Sequence, residues 1–592
     1  MKNIIAIACV LLLVGCNDSF LERMPETTIS PEVFFNNVQD LKLYTNTYYE
    51  YIEPQFRDDV TDNCAVFSDV SEMLNLIRGN ISPSTVSGWN NWDKLRRFNF
   101  MLDNVHKATG DADEINHYIG LTRLMRACWY YEMVKRYNDV PWYSQAIKDT
   151  DEELLYKKQD TRTVVVDSIL SDLDYAVNHI SAETGNKTQI SKWYAYACMA
   201  RICLHEGTFR KYHDELNLQA TADRFLQKTI WASEAIMESG QFQIDKTGTA
   251  YTAYQALFIN ENLSKSPEII LFKDYDYTAN IKHSASYFVF DFITALSRSL
   301  MESYQVLTKD GTAVPFSSVE GYETKTFVEV FENRDPRLAQ TFMTPGYMKP
   351  NQSNPYKPNL NLGGYPQLKF VPQKPDQVSS FTNYTDLPVC RLAEILLIYA
   401  EAKAELGELV QSDLDKSVNL IRDRVNMPPV VIGNIVYDPS LEKTYPNVTG
   451  RQKELILEIR RERRVELACE GFRLDDLMRW KAGHLLAQQQ QGVYIDQLGL
   501  HDFTGDGLPD IGIFESEEAN TVPPDQRDQY SFYYLTNTTG NTIYLSGGSA
   551  GYIMFVGDRD GVREFIEPRY YFFPIPMEQR ILNSNLHETI FW

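Results

Sequence analysis

A helix pair that returns four times restricts this chain more than any other feature. Helix-forming stretches at 36–53 and 92–109, 115–137 and 161–180, 190–207 and 222–240, and 387–407 and 413–426 follow one another in twos. Within 161–180, Val165, Ile169, Leu173 and Val177 recur every four residues, which puts four apolar side chains on one helix face. Ala195, Ala197, Ala200, Ala232 and Ala235 let neighbouring helices approach closely, and Gly207, Gly240 and Gly407 stand where a helix C-terminus needs a left-handed residue. One amphipathic pair cannot bury its apolar face alone, so each must pack against the next.

Stacked in this way, the pairs predict a mostly α, tetratricopeptide-like scaffold occupying mainly residues 32–240 and 387–484. Residues 241–386 break the series with Pro, Gly, Asn and aromatic residues, which predicts a loop-rich insertion. Residues 485–592 predict a small irregular part with strand-like runs such as 552–556. No low-complexity linker separates these parts, so the expectation is one domain from 16 to 592.

With 80 Asp and Glu against 57 Lys and Arg, the formal charge is −23, which disfavours nucleic acid and anionic lipid surfaces as partners and suits neutral ligands. The 36 Tyr, 30 Phe and 8 Trp supply rings that fill cores or stack on sugars. Cys64, Cys128, Cys198, Cys203, Cys390 and Cys469 contain no C-x-x-C pair and no Cys/His cluster, so buried free thiols are expected.

At the amino end, Met1-Lys2-Asn3 precedes an apolar run from Ile4 to Val14 and then Gly15-Cys16. A membrane span needs ~20 apolar residues, and this run is much shorter. It predicts a signal peptide over 1–15. The Leu13-Val14-Gly15-Cys16 ending resembles a bacterial lipobox, which implies lipid on Cys16 and a chain tethered to a membrane.

The densest motif runs from Glu458 to Trp480. On a helix, Glu458, Glu462, Glu466 and Glu470 would stack at four-residue spacing, so arginines must neutralise them, with Arg391, Arg422 and Arg424 as the candidates. Carboxylates held in this way are poor proton donors, so catalysis is not expected here. The run Glu462-Arg-Arg, followed by Glu470-Gly-Phe-Arg-Leu-Asp-Asp-Leu-Met-Arg-Trp480, resembles the signature of the SusD/RagB family of surface nutrient-binding lipoproteins in Bacteroidetes. Phe20-Leu21-Glu22, Arg126-Ala127 to Val140-Pro141, Arg391 to Ala402, Val418 to Arg424 and Phe573-Pro-Ile-Pro576 continue the resemblance in order. Cys469, where a large apolar residue is usual, and Tyr137-Asn138-Asp139, where Tyr-Gly is commoner, depart from it. The resemblance implies a non-catalytic, lipid-anchored outer-membrane protein facing the exterior. It would bind oligo- or polysaccharide and work with a SusC-type TonB-dependent transporter; peptide binding is the alternative.

The family-like blocks are scaffold and transfer no ligand residues, so candidates come from the loops. Trp89 lies in a polar loop without an evident core partner, and Tyr275 and Tyr277 occupy a similar setting; all three could stack on pyranose faces, with Asp274, Asp276 and Asn280 for hydroxyls. Asp502, Thr504, Asp506 and Asp510 offer oxygens around a glycine turn, a pattern that would suit calcium, although no distal bidentate Glu follows. No other cofactor is expected. Gly547 to Gly551 fits G-x-S-x-G around Ser549, with His587 downstream, but the strand-like 552–556 predicts a hairpin turn and not the strand-to-helix elbow of a hydrolase.

Overall fold

The computed structural model describes residues 34–592 apart from 60, 66–71, 90, 184, 291, 293, 294, 351, 537–541 and 560. Cys16 and the expected leader, residues 1–15, lie outside the described residues. The scaffold runs through α1 (Val38–Asn46), α2 (Trp92–Asn104), α3 (Ala112–Tyr137), α4 (Arg162–His179), α5 (Lys192–Tyr212), α6 (Ala222–Met237), α7 (Leu392–Glu405), α8 (Val418–Arg424), α9 (Lys453–Glu466) and α10 (Arg473–Arg479). Helix makes up 44% of the described residues, so the class is mostly α.

α3 illustrates how the sequence builds these elements. The Asp111 carboxylate accepts the Asp113 and Glu114 amides, acids fill the first turn, and Lys135 and Arg136 close the last, so both ends match the helix dipole. Its partner α4 turns Val165, Ile169, Leu173 and Val177 fully inward, each contributing about 1.5–3 kcal/mol by leaving water. α3 packs on α4, α5 on α6 and α6 on α7, which propagates one apolar cluster through the stack.

Two expectations need correction. Gly240 and Gly407 do carry positive φ after their helices, but Gly207 lies inside α5, which continues to Tyr212. A Cβ there would meet the Leu226 side chain at 2.9 Å, so this glycine serves the close approach of α6 and not a helix end. Residues 387–391 are a strand and not the start of a helix. Leu387–Arg391 instead pairs antiparallel with Ile269–Lys273 before α7 begins at Leu392.

We name Ile269–Lys273 β1 and Leu387–Arg391 β2. The insertion, which contains β1, is more ordered than its composition suggests. Tyr254, Phe258, Leu300, Met301, Phe342 and Leu360 join Val465, Ala468 and Cys469 from the end of the α9 segment in a second apolar cluster. The carboxyl-terminal part adds β3 (Tyr494–Ile495), β4 (Gly499–His501), β5 (Ile511–Phe514), β6 (Ser531–Tyr534), β7 (Ile543–Leu545) and β8 (Gly551–Phe555). They form two small sheets, ordered β6-β5-β4 and β7-β8-β3, and Ile511, Ile513, Ile553 and Phe555 face the second cluster.

An ion lattice joins the two clusters along α9. Glu462 accepts from Arg337 Nη1 at 2.5 Å and Arg422 Nη1 at 2.9 Å. Glu466 accepts from Arg391 Nη1 at 2.6 Å, Arg337 Nη1 at 3.0 Å and Arg424 Nη2. Burial alone would raise the Glu466 carboxyl, but Arg424, Arg391 and Arg337 outweigh it and hold the group well below the usual carboxylate range. The expected arginines are therefore present, joined by Arg337 from the insertion. Glu470 leaves the stripe, because α9 ends at Glu466 and Cys469 turns left-handed at φ 66°. It pairs with Arg391 at 2.6 Å and Lys369 at 2.8 Å.

Candidate functional site

Strands β1 and β2 carry the site. Lys273 pairs with Leu387 at one end of the ladder, so the chain leaving β1 and the chain entering β2 project from the same edge. Asp386 ties them together: Oδ2 accepts the Leu263 amide at 2.8 Å and Oδ1 the Tyr275 amide at 3.1 Å. Burial, followed by the neighbouring Asp274, pushes the Asp386 carboxyl up to about 7. His283 and Asn383 exchange backbone hydrogen bonds at 2.8 and 3.2 Å. His283 Nε2 donates to the Thr385 carbonyl and Nδ1 accepts the Ala285 amide. Burial drops the imidazole to about 4, so at neutral pH it is an uncharged strut.

Beyond this base the loops present aromatic rings. Asp276 accepts from Thr278 Oγ1 at 2.5 Å and the Ala279 amide at 2.7 Å, and Asn280 takes the left-handed conformation at φ 57°, so both residues shape the turn that carries Tyr277. Tyr277 is 60% exposed and its ring centroid lies 5.3 Å from that of Tyr384. Lys282 Nζ stands 4.6 Å from the Tyr277 centroid. Phe381 is 72% exposed and left-handed at φ 53°, with its amide donating to Ser284 Oγ at 2.8 Å. A bulky residue held in that conformation with its ring in water is strained, and such strain gathers at binding sites.

A cleft of about 530 Å³ adjoins the same strand, with Pro388 to Arg391 of β2 forming one wall and Tyr51, Trp129 and Phe472 among the opposing side chains. Glu53, also in its lining, lies close enough to Tyr275 to act on the phenol. A larger pocket of about 730 Å³ lies between α6 and α7, lined by Met237, Ile244, Leu392 and Leu396, with Phe242 as its aromatic side chain.

Of the residues singled out in the sequence, Tyr277 presents its ring to solvent. Tyr275 turns back, packs 4.3 Å from His283, and is pushed up to about 12 by burial. Asp274 lies at the Asp386 carboxyl. Trp89 is corrected outright: it is 7% exposed, 4.9 Å from Tyr137 and 5.3 Å from Trp92. The loop folds onto α3 because Arg136 donates to the Ser87 carbonyl at 3.0 Å, and this gives the indole the core partner that the polar surroundings concealed. Phe381 and Tyr384 were missed, although Ser379-Ser-Phe-Thr-Asn-Tyr384 carries the signal that marked Tyr277, rings within a polar run.

The four residues expected to hold calcium sit in one turn. Asp502 accepts the Gly505 and Gly507 amides, Asp506 Oδ1 the Leu508 amide, and Asp510 Oδ2 the Phe503 and Thr504 amides, so each carboxylate shapes its own turn, while Asp510 Oδ1 is buried without a hydrogen-bond partner. Among the described residues no three His, Cys, Asp or Glu side chains group as a metal site requires. Ser549 lies in the turn of the antiparallel β7–β8 hairpin, which is the hairpin expected and lacks an elbow.

Comparison with known proteins agrees with this arrangement. The model of the SusD family matches residues 233–592, and a second, described as starch-binding associating with outer membrane, matches residues 19–204. A SusD-like protein of Formosa agariphila is 23% identical over 518 residues, covering 81% of this chain and 91% of its own. The fold is that of a SusD-like carbohydrate-binding protein from Bacteroides fragilis, with a TM-score of 0.68 at 19% identity, covering 94% of this chain and all of that one. A laminarin-binding SusD-like protein matches with a TM-score of 0.55 at 16% identity, covering 94% and 100% of the two chains.

Proposed function

The chain belongs to the SusD family, and from that premise we propose that it captures neutral oligo- or polysaccharide and hands it to a SusC-type TonB-dependent transporter. One observation carries the reading: Tyr277, 60% exposed, pairs with the half-buried ring of Tyr384 on the loops that leave β1 and enter β2, and Phe381 on the same loop as Tyr384 is 72% exposed. Flat apolar rings with polar tips match the alternating faces and hydroxyls of pyranoses. The net charge of −23 favours neutral over anionic polymers. A laminarin-binding protein of the same fold supports a glycan as ligand.

In this reading lipid on Cys16 holds the body at the outer membrane, facing the exterior, and the protein binds without turnover. Among the described residues no helix is long and apolar enough to cross a membrane. Titration calorimetry against a panel of neutral polysaccharides, with product analysis by chromatography, tests it. Saturable oligosaccharide binding with unchanged ligand is expected. Binding to peptides alone, or release of shortened sugars, would overturn it.

A further inference from the structure

We propose that the ring site continues past Phe381 to a second aromatic station at Tyr287 and Phe292. The ligand is then an extended chain and not a single sugar or disaccharide, a size class that rests on the glycan reading above.

Two hydrogen-bonded segments of the insertion place the stations in a row. His283 and Asn383 pair antiparallel through their backbones. Next to them the Phe381 amide donates to Ser284 Oγ at 2.8 Å, and Ser286 Oγ donates to the Gln377 carbonyl at 2.6 Å. Residue numbers thus fall from 383 to 377 along one segment as they rise from 283 to 286 along the other. Tyr384, in contact with Tyr277, stands at one end of this ladder, and Phe381 stands along it. Tyr287 leaves from the other end, in the short helix Ala285–Val289, ~4.5 Å along the axis from Ser284.

The second station repeats the construction of the first. The Tyr287 and Phe292 rings lie 4.4 Å apart at 39°, against 5.3 Å and 58° for Tyr277 and Tyr384. In each pair one ring is half-buried, Tyr287 or Tyr384, and the other opens to water, with Phe292 47% exposed. Phe288 adds a third ring, 5.6 Å from Tyr287 and 6.1 Å from Phe292. The Arg57 guanidinium stands 5.6 Å from the Phe288 centroid, and Arg57 follows Gln55 of the 530 Å³ cleft by two residues.

Rings set in a row take successive sugar faces of one chain. A sugar that fills one station gains nothing from the other. A chain that reaches both engages its second station intramolecularly, at an effective concentration set by the short span between them. Affinity therefore climbs with length until both are filled.

Titration calorimetry on the full-length protein tests this with oligosaccharides graded from disaccharide to octasaccharide, cut from the neutral polysaccharide that binds in the panel above. For wild type, affinity should rise about tenfold or more between the shortest fragment that binds and the octasaccharide. Phe292→Ala should abolish that rise and leave the shortest fragment's affinity and the melting temperature unchanged, and Phe292→Tyr should keep the rise. Tyr277→Ala should weaken every length. Affinity that is flat with length, a rise that survives Phe292→Ala, or equal losses at all lengths in that variant would overturn the second station and leave the glycan reading in place. A panel in which no polysaccharide binds would instead overturn the glycan reading, and this size class with it.

Discussion

Replacing Glu466 by Gln would remove one charge from the centre of the α9 lattice while keeping the side chain's shape. The carboxylate is 0% exposed and receives three guanidinium groups. Each arginine retains a second acid: Arg424 keeps Glu268, Arg391 keeps Glu268 and Glu470, and Arg337 keeps Asp335 and Glu462. Removing one partner of a buried pair costs ~3–5 kcal/mol, and these remaining partners put the loss near the lower end, ~3 kcal/mol. Guanidinium chloride unfolding followed by tryptophan fluorescence measures it. The pH dependence supplies an independent check. Because the folded Glu466 carboxyl titrates below its ordinary value of 4.5, its contribution is present above that value and is lost as pH falls toward the folded one. The gap between wild type and E466Q should therefore hold steady near neutral pH and narrow below about pH 4. A loss under about 1 kcal/mol, or a gap that persists in acid, would refute the view that this lattice staples the two clusters together.

Phe381→Ala and Tyr277→Ala should each weaken oligosaccharide binding about tenfold, ~1.4 kcal/mol, with an unchanged melting temperature, as read by calorimetry and thermal shift. Trp89→Ala should instead cost ~3–5 kcal/mol of stability and leave the affinity of the folded protein intact. The Asp386 carboxyl titrates at about 7, above its ordinary 3.8, so its burial favours folding when protonated and opposes it as pH rises from about 4 through 7. Asp386→Asn should flatten that decline in urea unfolding series across this range. Asp506→Ala should melt at the wild-type temperature with or without EDTA, because its carboxylate serves a local amide.

Legibility followed the range of the interactions. Periodicity exposed α4 through Val165 to Val177, because a helix face is written in residues four apart. The arginine partners of Glu462 and Glu466 were legible as a need and, in Arg391, Arg422 and Arg424, as residues, since a buried charge requires a counter-charge. Arg337 was not, lying over a hundred residues away in an insertion whose path no local pattern describes. Gly207 misled for a related reason: a glycine in a helix reads the same whether it ends that helix or admits Leu226 of a neighbour.

The sequence by itself determined the class, the pairing of α3 with α4 and of α5 with α6, the acid–arginine stripe and the family, all of which rest on spacing within one element or on ordered blocks. Only the tertiary structure decided which rings face water. Trp89 and Tyr277 sit in equally polar loops, yet Arg136 folds one onto α3 and the β1–β2 ladder holds the other out. It likewise brought Tyr384 to Tyr277 from the far end of the insertion, because antiparallel pairing returns the two ends of a long excursion to the same edge.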